Sequence, residues 1–250
     1  MPNVPEPRTF VTTRWSLVLL GAGFESGEAK AREALAELCR TYWRPVFSFI
    51  LRRGYSQEDA RDLTQDFFVM ILEKNWLRQA DQSRGRFRSF LLGSVKNFLG
   101  HATDRMQTQK RGGGMHVVPW EEWMIEATAQ EPTTNQAWDA LAPESFFDLR
   151  WATTVVDQAL RRLREECEAE GRLRLFETLS NHLAAERSEI SYADLATTLN
   201  IAETMVKKQL HNLRRRYRWL LRQEVAQTVE NPAEVDDEIR YLCTTLATVT

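Results

Sequence analysis

The chain has 250 residues, with 33 Lys and Arg against 35 Asp and Glu, giving a formal net charge of −2. That length holds one large core or two small ones, and the near-neutral total neither supports nor excludes a polyanionic partner. The 3 cysteines, Cys39, Cys167 and Cys243, and the 4 histidines show no disulfide framework and no zinc-ligand spacing, so no metal and no cofactor is expected. No apolar run approaches the ~18 residues that span a bilayer. Residues 15–23 (WSLVLLGAG) have Thr-Arg before them, a charged helical run after them and no clear small-x-small cleavage site, and read as a packed amphipathic segment. A cytoplasmic protein with reduced thiols and no membrane partner is the expectation.

Helical spacing dominates and no segment alternates with period two, which predicts an all-α fold. Helices are predicted over 12–22, 27–42, 45–53, 57–78, 87–106, 147–169, 172–184, 191–199 and 202–222. The helix over 57–78 opens on Ser56 and Asp59, a capping-box pair. Ala60, Leu63, Phe67, Met70 and Ile71 form its core side, while Asp59, Asp62, Asp66 and Glu73 share the other, beside Gln65. A row of carboxylates without lysine partners repels itself. It reads either as a solvated face or as a docking face for a basic partner.

Residues 81–90 (DQSRGRFRSF) follow, with Arg84, Arg86 and Arg88 around a glycine at the start of the next helix. Guanidinium groups bind phosphate and stack on bases, and a helix N-terminus adds anion-binding amides. The combination suits single-stranded or distorted DNA. Phe87 and Phe90 read as core residues rather than stacking platforms. From residue 84 to 111 there are seven Lys or Arg against one Asp.

Between Lys110 and Pro143 the periodicity stops, with three consecutive glycines and Pro119, Pro132 and Pro143 in a polar stretch. The break predicts two small helical domains joined by a flexible linker. The division expected is 1–110, a linker over 111–144, 145–222, and an acidic extension over 223–250.

Residues 191–219 (SYADLATTLNIAETMVKKQLHNLRRRYRW) predict a helix-turn-helix. Ser191 and Asp194 suggest a capping box, Tyr192, Leu195, Ala196 and Leu199 share one face, and Asn200 suits a left-handed turn. In the second helix Val206, Leu210, Leu213 and Tyr217 lie together, opposite Lys207, Lys208, His211, Arg214, Arg215 and Arg218. Residues 207–222 hold seven Lys or Arg and no acid, whereas a solvated face usually interleaves glutamates. DNA in a major groove is the partner this pattern fits best. The acids of residues 223–243 suggest either a tail that folds back on the basic helix or a last helix packed on the same domain.

In this order these segments resemble the two-domain extracytoplasmic-function sigma factors of the sigma-70 family. Residues 58–68 (EDARDLTQDFF) are similar to the family's EDAEDLVQEVF, and residues 84–91 (RGRFRSFL) to its RGSFRAWL. Residues 191–213 are similar to its SYEEIAEILGISEGTVKSRLHRAR segment. Residues 10–16, 110–114 and 226–235 further resemble a subgroup found mainly in planctomycetes. The resemblance implies a factor that binds core RNA polymerase, directs it to promoters and helps open the duplex. Asp62, Gln65 and Asp66 match positions that dock on the β′ clamp helices. Arg84, Arg86 and Arg88, with Asn97, His101 and Arg105, match the −10 region. Thr204, Lys207, Lys208, His211 and Asn212 match the −35 region, with Arg214 and Arg218 on phosphates. The β flap and promoter DNA are further implied partners, and an anti-sigma factor or regulatory kinase is compatible. Thr204 and Met205 replace the family's glycine and threonine, Lys208 a serine and Gln209 an arginine, so the promoter sequence does not transfer. The competing reading is a sigma-like regulator that binds DNA without initiating transcription. No phosphate loop, nucleophile-base pair or metal-ligand cluster suggests an enzyme.

Overall fold

In a computed structural model of the chain, residues 28–72, 86–108, 140–229 and 231–248 are described. Among these the fold is all-α, with a single isolated bridge between Arg86 and Val229. The helices are α1 Glu28–Arg52, α2 Gln57–Leu72, α3 Phe87–Thr108, α4 Pro143–Ala169, α5 Leu173–Leu179, α6 Tyr192–Leu199, α7 Glu203–Ala226 and α8 Val235–Ala247. The predicted helix over 12–22 and nearly all of the predicted linker lie outside the described residues. Two compact units result, one of Met1–Trp151 with Ala226–Thr250 and one of Ala152–Val225. In sequence, the second unit is an insertion within the first.

The first unit is built on α1. Pro45 lies inside this helix, where the sequence suggests a break. Tyr42, Trp43, Val46, Phe47, Phe49 and Ile50 are all at or below 1% exposed. Burying that aromatic run outweighs the ~3 kcal/mol a proline costs a helix interior. Tyr42 meets Phe87 edge-on at 4.9 Å, and Trp43 stacks on Phe68 at 5.2 Å. Phe87 and Phe90 are therefore core residues, as their spacing suggests. Ser56 accepts the Asp59 amide at 3.1 Å, the N-terminal half of the expected capping box. The first turns of α4 bring Phe147 within 6.3 Å of both Tyr42 and Phe49. Pro143 is the first residue of that helix rather than a linker residue. Its fixed φ and missing amide suit the first helical position.

The C-terminal residues complete this first unit. The Phe87 amide donates to the Thr228 carbonyl at 3.0 Å, and Val235 and Leu242 of α8 are buried. Both readings of the tail, as a cover for the basic helix or as a helix on the same domain, place it elsewhere. Glu224, counted with the tail acids, instead belongs to α7.

The second unit packs α5, α6 and α7 with the later turns of α4 around Leu163, Phe176, Leu179, Val206, Leu210, Leu213 and Leu220. Tyr192, Leu195, Ala196 and Leu199 pack against this core, the face read from their spacing. Asn200 adopts φ 55° and ψ 46°. The Ile201 amide donates to the Ala196 carbonyl at 3.1 Å and the Asn200 amide to Thr197 at 3.3 Å, a Schellman closure of α6. The capping box expected at Ser191 does not form, because no side chain caps α6. It occurs one turn earlier, where Glu186 and Glu189 cap each other's amides. Gly171, at φ 68°, closes α4 by the same kind of reversal as Asn200.

Candidate nucleic-acid interface

Within the second unit, α7 stands with one face in the core and the other in solvent. Thr204, Lys207, Lys208, His211, Arg215 and Arg218 are exposed, and Asn212 is half-buried. At 100° per residue Thr204, Lys208, His211, Arg215 and Trp219 fall on one outward stripe, about 22 Å long at 1.5 Å per residue. Met205 and Trp219 are the exposed large apolar side chains on this helix, at 43% and 45%.

The cations of α7 divide by what they touch. Arg214 donates to the carbonyls of His182 and Ala185 at 2.8 and 2.6 Å, so its charge is used within the unit. Arg216 makes a bidentate pair with Glu166 at 2.6 and 2.7 Å, and its guanidinium lies 4.0 Å from the Trp219 ring centroid. Their hydrogen bond holds the Glu166 carboxyl below its usual range and raises Arg216. Lys207 sits 5.0 Å over the Tyr192 ring and 3.7 Å from Glu203. Glu224 is buried and paired with Arg162. Lys208, Arg215 and Arg218 form no such pair among the described residues. Arg215, which the sequence places on the basic face but the family resemblance matches to no −35 position, is in line with Lys208 and His211.

The −10 set differs in exposure. Arg84 and the Arg105 side chain lie outside the described residues, and Asn97 and His101 are exposed on α3. Arg86 is partly exposed and pairs with Glu238 at 3.0 Å. Arg88 is 7% exposed and pairs with Asp148 and Glu238 at 2.7 and 3.0 Å. In this conformation Arg88 offers almost no surface to a partner. Burial works against its charge, yet the two carboxylates more than offset that and raise its pKa.

On α2, Asp62 and Asp66 are exposed and Gln65 is half-buried. Partial desolvation, and after it the neighbouring Asp62, raise the Asp66 pKa; only the second of these is the like-charge repulsion expected from spacing. Glu73 lies outside the described residues. Among the described residues no cluster of His, Cys, Asp or Glu suits a metal ion, and no helix is long and apolar enough to cross a membrane.

With that geometry, one similarity is informative. The chain is 25% identical over 187 residues to the RNA polymerase sigma factor YlaC of Bacillus subtilis (strain 168), covering 72% of this chain and 94% of the relative. The similarity supports a sigma-factor role in general. No family model matches the chain, and no solved structure matches it.

Proposed function

We propose that this protein is a sigma factor of the extracytoplasmic-function type, acting in the cytoplasm. It binds core RNA polymerase, directs it to particular promoters and assists duplex opening. The observation that carries this reading is the outward stripe of α7, where Lys208, His211 and Arg215 stand clear of a packed helical unit. In the reading, Thr204, Lys207, Lys208, His211 and Asn212 meet the −35 element, while Arg215 and Arg218 hold phosphates. Arg84, Arg86, Arg88, Asn97, His101 and Arg105 constitute the −10 region. Asp62, Gln65 and Asp66 dock on the β′ clamp helices, with the β flap as a second contact. An anti-sigma factor or kinase would act on these surfaces. Residues 226–235 support the planctomycete-type subgroup by resemblance.

The second reading, a regulator that binds DNA without initiating, leaves the α2 carboxylate face unused. It is disfavoured because it gives no partner to Asp62 and Asp66, which are both exposed on α2. Reconstitution decides. Core polymerase with the protein should yield promoter-specific transcripts and should be retained on the immobilised protein. DNA binding with neither result would favour the regulator.

A further inference from the structure

α8 closes over the start of α3. Glu238 is fully enclosed, and its carboxylate bridges two arginines. Arg86 Nη1 lies 3.0 Å from one oxygen, and Arg88 Nε lies 3.0 Å from the other. Arg88 is held again by Asp148, whose second oxygen accepts the Tyr241 hydroxyl at 2.6 Å. Its guanidinium also lies 4.2 Å over the Tyr241 ring and 5.1 Å over Trp151. The two arginines would therefore fare differently if α8 withdrew. Arg88 would keep Asp148 and Trp151. Arg86, whose side chain is 31% exposed, would lose the acid it is paired with among the described residues.

Glu238 occupies a position where a stabilising contact would ordinarily be apolar. It lies between Val235 and Leu242 on the buried side of α8. Two charges taken out of water recover little net stability, and apolar side chains of similar volume hold such a position as well or better. A carboxylate here does something else that an apolar residue cannot. It offers two oxygens to an arginine fork, as a phosphate does.

We propose that Arg86 binds a nucleic-acid phosphate and that Glu238 stands in for that phosphate as an internal surrogate, so that α8 and nucleic acid compete for Arg86. This rests on the promoter-binding function proposed above, which supplies the polyanion. Exchange would leave Arg88 anchored by Asp148 and turn Arg86 outward.

Glu238→Gln in the full chain keeps the size and one acceptor but removes the charge. Its binding to a labelled single-stranded oligothymidylate, and to a duplex of equal length, is compared with that of the unaltered protein. The variant should bind the single strand about three- to tenfold more tightly, in the range expected of one charged contact. One added phosphate contact should steepen its salt dependence by about 0.7. Adding Arg86→Ala should cancel both gains. Equal affinity and slope in a variant with native circular dichroism overturns the proposal, as does a single strand that binds neither protein. Because the variant itself can lose stability, hydrogen exchange on the unaltered protein gives a second test. The single strand should accelerate exchange across α8, and unchanged or slower exchange there overturns the competition. Failure of the sigma-factor reading is separable, since it would abolish transcription with core polymerase whatever occurs at Glu238.

Discussion

Arg214 and Arg215 adjoin in sequence and spend their charges differently. Arg214 serves the carbonyls of His182 and Ala185, whereas Arg215 faces solvent beside His211. Arg214→Ala should cost about 1 to 3 kcal/mol by leaving those carbonyls without their donor, with little change in the salt dependence of duplex binding. Arg215→Ala should leave the melting temperature unchanged and lower the salt slope by about 0.9, one phosphate contact. Thermal melts and binding titrations at several salt concentrations check both, and identical behaviour of the two variants would refute the division. Asp66 supplies a pH prediction. Its pKa is raised, so its ionised form is disfavoured in the fold. Ionisation therefore costs stability above the raised pKa, and the cost is relieved as pH falls through it toward the unfolded value. Asp66→Asn should melt at or above the unaltered protein near neutral pH, and the difference should vanish in acid. The same variant should bind core polymerase less well, and a stabilised variant with full polymerase affinity would free Asp66 from the docking face.

The turn between α6 and α7 depends on the left-handed Asn200. Asn200→Gly should be nearly neutral, while Asn200→Val should cost about 1–2 kcal/mol because a branched Cβ crowds the carbonyl there. Denaturant unfolding measures the gap, and equal stabilities would mean the turn relaxes out of that conformation. Elements such as α2, α6 and α7 were legible in the sequence because one face is apolar and the other polar, so the period shows. The continuous α1 was not, since Pro45 is a local signal and its override comes from distant aromatic packing. α8 was not read as part of the first unit for the same kind of reason. Its buried side contains Glu238, which breaks the apolar pattern, and its partner Arg88 is 150 residues away. The candidate site divides likewise. The exposure of Lys208 and His211 follows from helical period, but the capture of Arg214 by two carbonyls and of Arg86 by Glu238 depends on residues that are neighbours only in the fold.

At the scale of the molecule, a unit of Met1–Trp151 that also needs Ala226–Thr250 cannot be cut at a single point. Deleting residues 226–250 should leave Arg88 with one carboxylate in place of two, remove the Thr228 carbonyl from Phe87, and uncover the face on which Val235 and Leu242 pack. Hydrogen exchange should therefore rise across α1 to α3 and stay near native in α5 to α7, whose core lies within Ala152–Val225. Uniform loss of protection, or none, would contradict that division. The discontinuity also orders events during synthesis. A ribosome adds about 5–20 residues per second, so the chain from residue 152 to 238 takes roughly 4–17 seconds to make. Throughout that interval the nascent first unit lacks Glu238, and Arg86 has not yet met the carboxylate that later covers it. A polypeptide released before α8 is made would carry Arg86 without the carboxylate that covers it, so making α8 and masking that charge are one event.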